Sequence, residues 1–268
     1  MMPVDESAQV CLSSDILGSG PPLLLLHGLF ASKSNLRGLA KALSADFEVH
    51  SLDLPLHGAS AQYRASTIEE FADAVMHYCV LKQLSNPVVL GHSLGGKVAM
   101  SCVNRESVTL KALVVVDIAP VLYQASHAQV FQAIERVIEA QPVTREAARS
   151  IVQTAVQDSA VVEFLLTQLR RGDSTQALEW QFDAKRLQET YPELLAAPRH
   201  LTPSNQPTLF IRGAESNYIG ADETRVIRSL FAGCQIVALK GAGHWPHIEA
   251  PDGFLASTRH FLLNRAVE

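Results

Sequence analysis

Short apolar runs alternate with amphipathic stretches through the first 120 residues. Leu23–Leu26 reads as a buried strand ending at His27-Gly28, and Asn35–Ser44 as a helix whose Leu36, Leu39, Ala40 and Leu43 recur at spacings of three and four. Glu48–Leu52 is the next predicted strand. The helix Thr67–Leu84 follows, opened by Thr67 and Glu70 at the spacing of a capping box. A strand over Val88–Leu90, a helix over Leu94–Asn104 and a strand over Leu110–Val116 complete this half, the last so continuously apolar that both its faces must be covered. Strand-then-helix order, repeated, predicts an α/β protein with a mostly parallel central sheet flanked by helices.

From about Val121 to Asn205 the pattern changes: helical periodicities cover Val130–Ala140, Thr144–Asp158 and Val161–Arg171, and no strand is expected. A run containing Pro198, Pro203 and Pro207 closes this stretch. The alternation then resumes with the strand Thr208–Arg212, the helix Glu223–Phe231, the strand Gln235–Leu239 and the helix Pro251–Asn264. The expected organisation is a sheet domain in two pieces, residues 1–120 and 206–268, with a helical cap over 121–205.

Composition adds exclusions. With 268 residues, 47% of them hydrophobic and 18% charged, the chain has material for one large core. The net charge of −5 comes without blocks of like charge, which argues against a nucleic-acid groove. Runs such as Leu23–Leu26 and Ala112–Val116 fall far short of the roughly 18 apolar residues a membrane span needs. Met1–Leu17 carries Asp5 and Glu6 and no long apolar segment, so it does not read as a secretory signal. The four cysteines (Cys11, Cys79, Cys102, Cys234) form no CxxC pair, so buried free thiols in a cytoplasmic protein are expected. No metal or organic cofactor is expected.

Gly91-His92-Ser93-Leu94-Gly95-Gly96 lies between a predicted strand and a predicted helix, the context in which G-x-S-x-G marks a nucleophile. A serine on such a turn is held in a strained backbone, its neighbours must be small, and the first helical N–H groups, that of Leu94 included, face the space beside its oxygen. A phosphate-cradling loop is the competing reading, but neither GxxxxGK[ST] nor G-x-G-x-x-G is present. An aspartate nucleophile is disfavoured because the turn carries serine.

Among ten histidines, His244 stands out on the glycine-flanked loop Gly241-Ala242-Gly243-His244-Trp245-Pro246, after a strand and downstream of the serine. Its imidazole can take and return a proton near neutral pH. His247 is the rival, with a structural role lining or closing the site. For the carboxylate that orients the base, Asp117 follows the apolar strand directly, where a charge is expensive without a partner. Glu215, on the loop Gly213-Ala214-Glu215-Ser216-Asn217, is the alternative.

His27-Gly28, Asp53 with His57-Gly58 and Ser60, Gly91–Gly96 and Gly243-His244 together resemble the α/β-hydrolase superfamily over nearly the whole chain. More narrowly, His27-Gly28-Leu29-Phe30, Gly91–Lys97, Val116-Asp117-Ile118-Ala119-Pro120 and Gly241–Trp245 resemble the YbfF-type esterases of bacteria and their mitochondrial relatives. The resemblance implies a sheet of the eight-strand type and ester or thioester hydrolysis beneath the helical cap. It assigns Ser93 as nucleophile, His244 as base and Asp117 as acid. In much of the superfamily an aspartate stands where this chain has Ser216, a departure that favours Asp117. The stretch Val10–Leu17 is short, so the first family strand is expected to be missing or degenerate.

On the same resemblance the oxyanion hole pairs the N–H of Leu94 with that of Leu29. His27, Asp53 and His57 are read as braces of neighbouring loops. Phe30, His92 and Trp245 are candidate substrate-contacting side chains. Apolar stripes in the cap (Val130, Phe131, Ile134, Val137 and Ile138; Phe164, Leu165 and Leu169) are expected mainly to pack the cap on itself. The expected partner is a small-molecule acyl ester or thioester, handled by a monomer or weak homodimer. Carbon–carbon cleavage, lactone opening or perhydrolysis on the same machinery is the alternative chemistry, and a non-catalytic ligand-binding protein the alternative class.

Overall fold

A computed structural model describes residues 11–103, 105–172 and 175–266. The chain runs β1 (Ser14–Leu17), β2 (Pro22–Leu26), α1 (Arg37–Leu43), β3 (Glu48–Leu52), α2 (Ile68–Leu81), β4 (Val88–His92), α3 (Leu94–Cys102) and β5 (Ala112–Val116). An insertion follows: α4 (Ala128–Ala140), α5 (Arg145–Gln153), α6 (Ser159–Thr167), β6 (Leu169–Arg171), β7 (Leu178–Trp180) and α7 (Ala184–Leu195). The sheet resumes with β8 (Thr208–Gly213), α8 (Ala221–Leu230), β9 (Gln235–Leu239), α9 (Pro246–Glu249) and α10 (Pro251–Ala266).

Seven strands form one sheet in the order β1-β3-β2-β4-β5-β8-β9, parallel except for β1, which pairs antiparallel with β3. β1 is the degenerate first strand: four residues, mostly exposed, on the sheet edge. This sheet has seven strands among the described residues, which corrects the eight-strand expectation. The signal-peptide question falls largely on residues 1–10, outside the described residues.

The strands obey a period of two. Leu23 and Leu25 of β2 pack with α1 and α10 on one face, while Leu24 and Leu26 pack with α2 and α3 on the other. In β5, Leu113 and Val115 face one side and Ala112, Val114 and Val116 the other, none more than 1% exposed, as its unbroken apolar run requires. Strand order reverses between β2 and β4, one strand run leading out to β3 and the other to β9. In open α/β sheets a crevice forms at that point, outside the carboxyl ends of the strands. The loops after β2, β4, β5, β8 and β9 therefore share one rim.

Boundaries moved where local hydrogen bonding decided them. The predicted helix over Asn35–Ser44 divides into a 3₁₀ turn (Lys33–Leu36) and α1. Thr67 caps α2 by accepting from the Glu70 N–H, but the Glu70 carboxylate returns to the N–H of Ser66 rather than of Thr67. The expectation of no strand between Val121 and Asn205 is corrected by the β6–β7 hairpin. Leu-Arg-Arg and Leu-Glu-Trp are too short to show a period of two. Helix α7 also escaped the sequence reading, because Pro192 in its last turn interrupts an otherwise helical pattern. All four cysteines are free; Cys79, Cys102 and Cys234 are buried, whereas Cys11 is exposed, against expectation. No helix among the described residues is long and apolar enough to cross a membrane.

Candidate active site

Ser93 stands alone between β4 and α3 with φ 53° and ψ −116°, a conformation an L-residue holds only when its surroundings enforce it. The enforcement is visible. A Cβ on Gly91 would lie 2.1 Å from the Gly95 carbonyl oxygen, and one on Gly95 would lie 2.4 Å from that of Leu26, so the turn closes only with glycine at both positions. The Ser93 N–H extends the sheet by donating to the Val116 carbonyl at 2.9 Å.

Asp117 continues β5 in the same way, donating its N–H to the Ile211 carbonyl at 2.8 Å with φ 52°. Its carboxylate is fully buried and satisfied by three donors. The Gly213 N–H reaches Oδ1 at 3.0 Å; the Ser216 hydroxyl and the His244 Nδ1–H reach Oδ2 at 2.5 and 2.8 Å. With Nδ1–H given to the carboxylate, His244 Nε2 is left to accept from the Ser93 hydroxyl, 3.0 Å away. Glu215 is exposed, and its N–H binds the Ala242 carbonyl. Of the two sequence candidates, Asp117 is thus the carboxylate that meets the imidazole.

Three further side chains hold the His244 loop. Tyr218 stacks on the imidazole, with centroids 4.0 Å apart and planes 19° apart. His92 donates Nε2–H to the His244 carbonyl at 2.7 Å, and His247 packs against His92 at 4.8 Å. Burial pulls His92 well below the usual histidine range and His247 down to about 4, so both are neutral near pH 7. His247 hydrogen-bonds neither Ser93 nor Asp117 and, although expected to line or close the site, is not among the cavity-lining residues; it packs on His92 instead.

The loop after β2 carries the other half of the site. His27 donates Nδ1–H to the Gly28 carbonyl at 2.8 Å and accepts the Leu54 N–H at Nε2, 3.1 Å away. His57 donates Nδ1–H to the Pro55 carbonyl and accepts the Phe30 N–H at Nε2, 3.2 Å away. Both are fully buried, and burial lowers both, His57 to about 3. Asp53 accepts the N–H groups of Lys33 and Ala59. These are the braces the sequence suggested. His57 thereby takes up the N–H of Phe30, whose φ is 60°. The N–H groups of Leu29 and Leu94 enter no hydrogen bond among the described residues, and both residues line the cavity.

That cavity has a volume of about 950 Å³ and opens over Ser93. Phe30, His92 and Trp245 all line it, as expected, although His92 spends its Nε2–H on the His244 loop. Its far wall comes from the insertion. Val130, Phe164 and Leu165 reach the cavity, Phe131 packs edge-to-face on Phe30 of the sheet domain as well as on Tyr191, Ile134 and Val137 are buried, and Ile138 is exposed, so the stripes do more than pack the insertion on itself. The sequence reading missed Lys97, Tyr191 and Tyr218. A signal existed for Lys97 alone, a single charge in the apolar segment Leu94–Cys102. No group of three His, Cys, Asp or Glu side chains suited to a metal occurs among the described residues.

A mostly parallel sheet whose β4 breaks at a strained serine into a helix is the architecture of the α/β hydrolases. The chain belongs to the Alpha/beta hydrolase family, whose profile matches residues 23–257. It is similar to the esterase YbfF of Escherichia coli (strain K12), 31% identical over 242 residues covering 90% of this chain and 92% of the relative. It is 33% identical over 251 residues to the sn-1-specific diacylglycerol lipase ABHD11 of Xenopus laevis, covering 91% and 80%. Among solved structures, a marine microorganism esterase superposes with a TM-score of 0.89 at 27% identity, covering 94% of this chain and 99% of that one.

Proposed function

We propose that the protein is a serine hydrolase that cleaves carboxylic esters or thioesters of small acyl substrates through an acyl-enzyme. The observation that carries this reading is His244 bridging Ser93 Oγ and the buried Asp117 carboxylate at the floor of an apolar cavity. Similarity to esterases and a lipase supports it.

Ser93 Oγ attacks the substrate carbonyl carbon while His244 Nε2 takes the hydroxyl proton. The imidazolium formed is stabilised by Asp117, whose buried charge is already oriented by Gly213 and Ser216. Negative charge moves to the carbonyl oxygen, where the free N–H groups of Leu29 and Leu94 and the N-terminus of α3 receive it; one such donor is worth about 3 kcal/mol in the transition state. Collapse expels the alcohol or thiol, which takes the proton from His244. Water then attacks the acyl-enzyme, gives its proton to His244, and the acid leaves as Ser93 regains its hydrogen.

Residues 121–205 act in this reading as a cap that encloses the acyl group. Labelling with a fluorophosphonate probe should modify Ser93, and Ser93→Ala should abolish both labelling and turnover of p-nitrophenyl butyrate. A variant that kept the parent rate would end the proposal.

A further inference from the structure

Lys97 lies one helical turn beyond Ser93 on α3 and is only 2% exposed, a rare fate for a lysine. Its ammonium donates to the carbonyls of Leu195 at 2.6 Å, Ala196 at 2.8 Å and Leu194 at 3.4 Å, where α7 ends. Those carbonyls are the ones a helix leaves without internal partners, and a cation is favoured there. The aromatic ring of Tyr123 lies 4.9 Å from the ammonium, and the Tyr123 N–H adds a second donor to the Leu195 carbonyl. Three protons meet three acceptors, which offsets the cost of burying the charge.

The contact joins two parts of the site that are far apart in sequence. On one side is the helix that begins at Ser93. On the other is the exit of α7, whose Tyr191, Leu194 and Leu195 form part of the cavity wall. Tyr123 extends the junction: its hydroxyl accepts the Ala119 N–H and donates to the Tyr218 carbonyl at 2.7 Å, and Tyr218 stacks on His244.

We propose that Lys97 is a positioning residue for acyl selection: its ammonium clasps the end of α7 to the nucleophile's helix and so sets the distance between the α7 wall and Ser93. The inference rests on Ser93 being the nucleophile. Burial, with no carboxylate opposing it, brings the ammonium down to about 7. The titratable groups on the elements packed here are Tyr123 and Tyr218, which burial, with Asp117 acting on both and Glu223 on Tyr123, keeps protonated; Tyr191, bonded to a His127 that burial lowers to about 4; and Glu193, which is turned outward to Arg199. A neutral amine keeps two protons for three carbonyls, so the clasp loosens as the pH rises through this range.

The test compares kcat/KM for p-nitrophenyl octanoate and acetate in the parent, Lys97→Met and Lys97→Arg. His244 serves both esters and cancels from the ratio. In Lys97→Met the octanoate-to-acetate ratio should fall roughly tenfold or more, chiefly through KM for octanoate, with Lys97→Arg restoring most of it. In the parent the same ratio should fall between about pH 6 and about pH 9, and in Lys97→Arg it should stay level. A ratio unchanged in Lys97→Met, or both esters losing rate in proportion, overturns the clasp; should that variant not fold, Lys97→Gln is read in the same way. Turnover surviving in Ser93→Ala would instead overturn the serine reading, so the two failures are distinct.

Discussion

The cavity has two walls built on different principles. The floor is made of strand ends, where Ser93 and Asp117 each continue a ladder of the sheet and every oxygen of the buried carboxylate has a donor. The roof is made of short helices that present apolar side chains, and the insertion also leaves Leu122, Ile138 and Val143 more than half exposed. Proton transfer and charge stabilisation demand atoms fixed within hydrogen-bonding distance, which a sheet supplies. Enclosing an acyl chain demands only shape and dryness, which many sequences satisfy. Mutations in the floor should therefore act on kcat, and mutations in the roof on selectivity.

The sharpest break should come at Asp117. Asp117→Asn leaves the volume intact but removes the charge that fixes the His244 tautomer, and turnover should fall by roughly 10⁴-fold. Glu215→Gln, on an exposed side chain that touches none of these atoms, should leave kcat/KM within about twofold of the parent. Steady-state rates on p-nitrophenyl butyrate decide it; equal losses in the two variants would return the acid to an open question.

Acid should expose the floor next. His27, His57 and His92 are buried and lowered, His57 to about 3, while the unfolded chain titrates near the ordinary 6.5. Between those values the unfolded state binds protons the folded state refuses, so stability falls as the pH drops. The cost approaches about 1.4 kcal/mol per pH unit for each such group and levels off only below its folded value. His127, in the roof, adds the same sign down to about 4. Thermal melts from neutral pH to about pH 4 should show a steep decline, shallower by roughly one histidine's share in His57→Asn. An unchanged slope would mean His57 is not held neutral in the fold.

The floor was legible in the sequence because the chemistry proposed for it requires unusual residues in ordinary places. A serine between glycines after an apolar run, an aspartate directly after the unbroken Ala112–Val116, and a histidine on a glycine loop each violate the local pattern, and each violation has a mechanical reason. Their supports were not legible. Ser216 registered only as a departure from the superfamily, and Tyr218 carries no local mark, because its stacking on His244 exists only once β8 and β9 are paired. The roof was read as three helices, which fall on α4, α5 and α6, but its hairpin and α7 were not read. Strands of three residues lack periodicity, and Pro192 hid α7.

Ser216 measures how much those supports matter. Its hydroxyl donates to Asp117 Oδ2 and accepts the Tyr218 N–H at 3.2 Å, so it holds both the carboxylate and the residue stacked on His244. A hydrogen bond to a buried charge is worth about 1.5–3 kcal/mol. Ser216→Ala should lower kcat roughly 10- to 100-fold with KM little changed, intermediate between Asp117→Asn and any roof variant. A loss confined to KM would place Ser216 with the roof.

The smallest effect should come from the roof itself. Phe164 of α6 lines the cavity and packs on Trp245 with centroids 5.9 Å apart, so it closes the wall across the two regions without touching Ser93, His244 or Asp117. Being half-buried, its ring contributes less than the full burial of a phenylalanine, and truncation to alanine should cost on the order of 1 kcal/mol of acyl binding. That corresponds to a KM for p-nitrophenyl octanoate raised about fivefold in Phe164→Ala, with kcat moving less than KM and the acetate affected less than the octanoate. Were kcat for both esters to fall together instead, the wall would be transmitting strain to the strand ends through Trp245 and the His244 loop. The division of labour between floor and roof would then be wrong at the one place where the two touch.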